Sequence, residues 1–432
     1  MRAGAVAISA GFRSRKVSMP VLLALFAATS VAATAFGLYV RGRQAAYVAR
    51  HRDAVPAGFA GAVSLAEHEK AADYELARLR LGAAASLAGL AVALAWAFAG
   101  YDLLYGALGT AIPRGLSRSV AFLVAASAIS GLLDLPFALW RTFRLEERFG
   151  FNRTTPLRFA LDKLKGAALS LGLAVPLLYG LFWLMRAASG PWWLYAWAGT
   201  MALMLAMTVA YPRWIAPLFN EFTPVGGPLR ERVEALLRRC GFEASGLFVM
   251  DASKRSAHGN AYFTGFGRAK RIVLFDTLVA RSTEEELEAV LAHELGHYKL
   301  GHVTAGLCRA AALLFLAFLA VGWLCKQPWL LGSFGLVHRD DALALVVCAL
   351  VLEMAGPLAG IAGNWLSRRH EYQADDFARR MVGAAPMVSA LVKLSRDNAS
   401  TLTTDPLYAL VNFSHPPVPL RVRRLREGAA AA

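Results

Sequence analysis

Long apolar blocks decide what this chain can fold into. Seven stretches are long and apolar enough to cross a bilayer, at about Met19–Val40, Gly82–Leu104, Ser119–Trp140, Gly166–Arg186, Trp192–Tyr211, Thr304–Leu324 and Ala342–Leu366. A segment in hydrocarbon must satisfy its own backbone hydrogen bonds, which leaves helices or closed barrels. Runs of this length select helices. The expected fold is mainly α, a polytopic membrane helical protein of about seven spans. The first block follows Arg13, Arg15 and Lys16; it is longer than a cleaved signal requires and reads as a retained anchor.

The formal net charge is +16, and its placement is uneven. Arg41, Arg43, Arg50, Arg52, Arg78 and Arg80 follow the first span, in what reads as a loop. Arg141, Arg144, Arg148, Arg153, Arg158, Lys163 and Lys165 follow the third. The connections after spans two, four and six are poor in Lys and Arg. The positive-inside rule puts the basic set in the cytoplasm. No nucleic-acid motif accompanies the charge, so anionic lipid is the expected partner, not nucleic acid. The Ala- and Arg-rich composition points to a bacterium, hence an inner membrane. The four cysteines form no CxxC pair, which leaves them as packing residues.

Four segments follow: 1–211 with spans one to five, a polar piece at 212–303, spans six and seven at 304–366, and a second polar piece at 367–432. Both polar pieces lie on the cytoplasmic side and can form one split domain. In the first, GLFVMDA and RIVLFDTL read as short strands, and NAYFTG between them as extended chain ended by Gly265. A helix follows, capped by Ser282 or Thr283 with Glu285 or Glu286 three residues on. Leu287, Val290, Leu291 and Leu295 make its apolar stripe.

That helix carries HELGH. His293 and His297, four apart, lie on one face roughly 5–6 Å from each other, so both imidazoles can reach one metal. Glu294 follows the first histidine directly, where a zinc protease places its general base. A catalytic zinc needs a third protein ligand and an open position. His302 is out of register for that ligand and reads as a supporting or surface residue. Glu371, in NWLSRRHEYQADDFA, is the better candidate. Asp375, four residues on, shares its face and can hold a ligand histidine by its other ring nitrogen. His370 and Asp376 read as bystanders. One Zn2+ per chain is expected, in a split zinc-protease domain with a small β-sheet.

Together, SKRSAHGNAYFTGFGRAKRIVLFDTL (Ser253–Leu278), HELGHYKLGH (His293–His302) and SRRHEYQAD (Ser367–Asp375) closely resemble the zinc-dependent CAAX prenyl endopeptidases. EERFGFNRTTP, APLFNEFTP and NFSHPP extend the likeness, which covers about Glu146 to Leu425. The resemblance implies a seven-span membrane protease with a large intramembrane chamber, removing the C-terminal tripeptide of prenylated proteins. It also implies that Asn260 and Ala261 of NAYF hydrogen-bond the substrate on an edge strand, and that His415 steadies the oxyanion. Substrates are then peptides or proteins, with or without a lipid, met in membrane lipid. Two departures are visible: His370 where an aromatic residue is usual, and Pro419 inside an expected helix.

Three other readings share parts of this pattern. One is a heat-shock-type quality-control membrane protease, which would have fewer spans. Another is a membrane scaffold with a relict zinc site. The third, a transporter, draws on the intramembrane acids Asp134 and Glu353, which could equally face a chamber or pair between helices.

Overall fold

The computed structural model describes residues 20–188, 190–242, 246–265 and 270–430; the basic stretch before the first span lies outside it. Helices α1 (Val21–Arg50), α2 (Leu65–Ala95), α3 (Tyr101–Leu108), α4 (Leu116–Trp140), α5 (Pro156–Ala187) and α6 (Trp192–Ala210) build the first five spans, with α2 and α3 joined through a π turn. Next come β1 (Phe222–Pro224), α7 (Gly227–Arg239), β2 (Gly246–Met250), β3 (Ala261–Thr264), β4 (Arg271–Phe275), α8 (Asp276–Val279) and α9 (Glu284–Lys299). The sixth span is α10 (His302–Leu324). Helices α11 (Asp341–Glu353) and α12 (Gly356–Val382) meet at a 55° bend and make a seventh if taken as one. Gly356 and Pro357 open α12, and proline cannot supply the N–H that would continue α11 through the bend. The chain ends with α13 (Ala384–Asp397), α14 (Pro406–Asn412) and α15 (Val418–Ala430).

The helices overrun the bilayer. The continuous run Leu65–Leu108 has 44 residues, about 66 Å at 1.5 Å per residue against a hydrocarbon core of about 30 Å. Several arginines expected in a loop therefore lie on helix: Arg41, Arg43 and Arg50 on α1, Arg78 and Arg80 on α2. Arginine and alanine favour helix, and the stop signal lies farther out, at the Ser64–Glu67 capping box. One further expectation is corrected. Pro419 does not interrupt α15; it sits in the first turn of that helix, which a proline tolerates.

Contacts between neighbouring spans close on themselves, in the order α1, α2, α4, α5, α6, α10, α11 and back to α1. Apolar burial is concentrated at the two ends of this ring. Leu23, Phe26, Ala97, Leu324 and Val347 form a core at one end, with α11 also packed on α4 and α5. Phe59 and Val63, from the connection after α1, join the sheet and α9 in the core at the other end. Between Phe26 and Val40 no residue of α1 is buried, a rise of about 20 Å. In α5 only Phe182 is buried, and in α6 only Trp192. A solid bundle would bury a stripe along each helix; these spans surround open space.

Asp134 and Glu353 are both exposed, and neither has an ion-pair partner among the described residues. Of the two readings offered for them, interhelical pairing is not what the packing shows.

The four-stranded sheet runs β1-β2-β4-β3, with β2 parallel to β4 and β3 antiparallel to it. Its last strand stops at Phe275, and the following DTL turns into α8 rather than extending the strand. Strand β3 stands at an edge, over α9.

Candidate metal centre

Thr283 caps α9. Its hydroxyl accepts from the Glu286 N–H, and the Glu286 carboxylate accepts from the Thr283 N–H at 2.8 Å. Glu286 also takes bonds from Ser389 at 2.7 Å and Lys393 at 2.8 Å, which tie α13 to the start of α9. Leu287, Leu291 and Leu295 sink into the core beneath the sheet, and this turns His293 and His297 toward α12.

The two helices approach closely because the facing residues are small. Ala289, Ala292, Ala374 and Ala378 are fully buried. A Cβ on Gly296 would lie 3.2 Å from the Ala374 Cα. Across this seam, ligand atoms of His293, His297 and Glu371 all fall within 4.8 Å of one another. The two Nε2 atoms are 3.3 Å apart. Glu371 oxygens lie 3.4 Å from His293 Nε2 and 3.3 Å from His297 Nε2. Glu371 is 4% exposed, and its Oε2 has no hydrogen-bond partner. Two imidazole nitrogens and an orphaned buried carboxylate oxygen converging on one point need a cation. Two His and one Glu are a donor set that catalytic zinc sites use.

The supporting contacts come from several elements. Asp375 Oδ1 accepts from His293 Nδ1 at 2.9 Å and from Arg421 of α15 at 2.6 Å, and its Oδ2 accepts from Arg421 at 2.8 Å. Arg421 is 7% exposed, and its Nη1 lies 3.6 Å from Glu371. His297 Nδ1 meets His302 Nδ1 at 3.1 Å, and His302 is held by Gln373 at 2.8 Å. His370 stacks flat on His302, rings 4.1 Å apart. Asp376 pairs with Arg424, away from the donors.

Glu294 shares α9 with the two histidines and is half-buried. Burial pushes its carboxyl above the usual carboxylate range, against the opposing pull of His293 and His297. That favours accepting a proton, the property of a base. His415 approaches from the loop before α15; its Nε2 lies 3.3 Å from Glu371 and its Nδ1 2.9 Å from the Ser414 hydroxyl. Its side chain is 62% accessible, so it faces open space beside the donors.

Asn260 and Ala261 stand at the start of β3. The Asn260 carbonyl accepts from Phe275 N at 3.0 Å, so its backbone faces β4. Antiparallel alternation then turns the Ala261 N–H and C=O to the open edge. The Asn260 side chain covers that N–H at 2.9 Å.

Arg421 and Gly296 were missed from sequence. The i, i+3, i+7 spacing of Ala289, Ala292 and Gly296 was a signal for the close seam. Arg421 had none, since RVRRLR offers four equivalent arginines.

Residues 44–221 match the family model of the CAAX prenyl protease N-terminal region with five membrane helices, and residues 226–429 that of peptidase family M48. The chain is 39% identical to the CAAX prenyl protease 1 homolog of Arabidopsis thaliana, over 73% of this chain and 77% of that protein. It is 32% identical to the CAAX prenyl protease 1 homolog of Homo sapiens, covering 72% and 74%. The crystal structure of S. mikatae Ste24p superposes with a TM-score of 0.86 at 30% identity, over 94% of this chain and 99% of that one.

Proposed function

The chain belongs to the CAAX prenyl protease 1 family and is a multi-pass membrane metalloendopeptidase; from that premise we propose that its metal is one zinc ion per chain, held by His293, His297 and Glu371, and that it removes C-terminal tripeptides from lipid-modified proteins. The observation that carries the reading is the convergence of those three donors within 4.8 Å beside an open edge strand. Zinc there supplies Lewis acidity, lowering the pKa of water and polarising the scissile carbonyl.

The chain's own residues do the rest. Glu294 takes the proton of the attacking water and returns it to the leaving amine. Asp375 fixes the His293 ring through Nδ1, leaving Nε2 for the metal. His415 donates toward the oxygen on which charge develops. Ala261 offers its N–H and C=O to the substrate backbone once the Asn260 side chain moves aside, which pairs main chain to main chain and tolerates varied side chains.

In this reading residues 1–211 and 304–366 form the membrane region, and 212–303 with 367–432 form the protease domain, although α12 runs unbroken across position 366. The domain faces the cytoplasm, in a bacterial inner membrane. The relatives' names and the span layout favour this over quality-control proteolysis, a relict scaffold or a transporter.

The test is cleavage of a farnesylated CAAX peptide beside its unprenylated form, read by mass spectrometry, with metal content measured on the same sample. Loss of three residues by the wild type but not by Glu294→Gln supports the proposal. Zinc bound stoichiometrically with no cleavage of either peptide would discard the substrate.

A further inference from the structure

A cavity of about 500 Å³ opens beside the start of β3, and the proposed chemistry does not use it. Three arginines line it, Arg41 from α1, Arg78 from α2 and Arg141 from the π turn after α4, against two glutamates, Glu75 and Glu146. Both glutamates are engaged. Glu75 pairs with Arg78 at 3.4 Å. Glu146 accepts the Tyr74 hydroxyl at 2.7 Å and lies 3.4 Å from His258 Nε2. Arg41 and Arg141 have no acidic side chain within ion-pair distance among the described residues. Two planar guanidinium groups without counter-ions, in a partly enclosed cavity, are suited to an anion and above all to a carboxylate.

Asn398 joins the cavity to the edge strand. Its Oδ1 accepts from the Gly259 N–H at 3.0 Å and its Nδ2 donates to the Gly259 carbonyl at 3.2 Å. Gly259 immediately precedes Asn260, so β3 leads directly into the cavity. The far end of β3 differs. There Arg271 donates to the Pro212 carbonyl at 3.1 Å, and Lys270 lies 4.2 Å over the Phe242 ring. The two ends of the open edge therefore offer different partners to a charged peptide terminus.

A peptide cut three residues from its end carries its free carboxylate about 10 Å past the scissile bond when extended, at 3.3–3.4 Å per residue. We propose that this cavity is the subsite for the substrate's C-terminal carboxylate, with Arg41 and Arg141 as its cations. The substrate then runs antiparallel to β3, its leaving tripeptide directed toward Gly259. The inference rests on the reading above, that cleavage occurs near a C terminus. It supplies what measures the distance from that end, which edge pairing alone cannot do because main-chain bonds are alike along a strand.

The test uses the full chain in phosphatidylcholine nanodiscs, with a farnesylated CAAX peptide as the free acid and as the C-terminal amide. Amidation is expected to lower the wild-type kcat/KM about tenfold or more, the scale of one lost charge-assisted hydrogen bond. In Arg41→Gln and Arg141→Gln the acid is cleaved more slowly and the acid–amide ratio falls toward one. A second arm measures binding of the tripeptide product, as acid and as amide, to Glu294→Gln protein by calorimetry, which needs no turnover. Preference for the acid in binding, lost in Arg141→Gln, upholds the subsite even if no peptide is cleaved and the proposed reaction falls. Equal handling of acid and amide by the wild type overturns the subsite even if the reaction stands, and this comparison needs no variant to fold. Binding of phosphatidylglycerol that depends on the two arginines, with no effect of the tripeptide, would assign the cavity to a lipid headgroup and overturn it as well.

Discussion

Replacing Arg421 by methionine removes both charge-assisted hydrogen bonds that Asp375 accepts from it, at 2.8 and 2.6 Å. Asp375 is 1% exposed, so water cannot take their place. Removing one partner of a buried ion pair costs about 3–5 kcal/mol. For a polar region of about 160 residues (212–303 and 367–432) that is on the order of 10 °C in thermal midpoint. A second effect falls on His293. Burial opposes its charge, but Asp375 and Glu371 overcome burial while Arg421 pulls the other way, leaving the imidazole at about 9 in the metal-free site. Without Arg421 it rises further. The proton the ring already holds at pH 7 is then harder for zinc to displace, so zinc binds more weakly, within the 10–100-fold typical of lost supporting contacts. The assay is a double-mutant cycle of Arg421→Met and Asp375→Asn, read by thermal unfolding with zinc and by chelator competition. The double variant should recover part of the single variant's loss, because no unpaired carboxylate is left buried. An Arg421→Met protein within about 1 kcal/mol of wild type, with unchanged zinc affinity, would refute this account of the site.

Glu294→Gln should lower cleavage by about 10²–10⁴-fold, the usual contribution of general base catalysis, with zinc content by elemental analysis unchanged. Gly296→Val should weaken zinc binding in a chelator titration, because branched atoms would press on Ala374 and Phe377 and force the α9–α12 seam apart. Glu286 is held below the usual carboxylate range: burial alone would raise it, but Lys393, Ser389 and the Thr283 N–H outweigh burial. Its stabilisation, about 1–2 kcal/mol, is therefore fully present above the ordinary value of 4.5 and is lost as pH falls below it through the depressed folded value. The gap in thermal midpoint between wild type and Glu286→Gln should hold from pH 7 to about 4.5 and narrow as pH falls below that; a gap that stays constant would remove this role.

What could be read without coordinates follows one division. Patterns local in the chain were legible. Hydropathy placed the spans, i, i+4 spacing put His293 with His297 and Glu371 with Asp375, and the S/T-x-x-E pattern marked the start of α9. The likeness to known motifs added Asn260, Ala261 and His415. Contacts between distant segments were not legible. Which arginine of RVRRLR reaches Asp375 depends on the docking of α15, and the cavity arginines come from three separate helices. Helix ends were misjudged where no proline or cap stops them, as along Leu65–Leu108. Whether Glu353 pairs or stands exposed depended on the break between α11 and α12, which hydropathy averages into one span.

That break has a mechanical consequence. From Gly356 to Glu371, α12 is a rigid rod of about 22 Å, rooted among the membrane spans and carrying one metal donor, while the two histidines ride on α9 outside them. A tilt of about 3° at the bend displaces Glu371 by about 1 Å, enough to loosen a donor set of this size. Helices tilt when hydrocarbon thickness and helix length disagree. Bilayer thickness thus bears on the geometry of a hydrolytic centre whose histidines lie on a helix outside the spans, and thinner or thicker acyl chains become a dial on turnover.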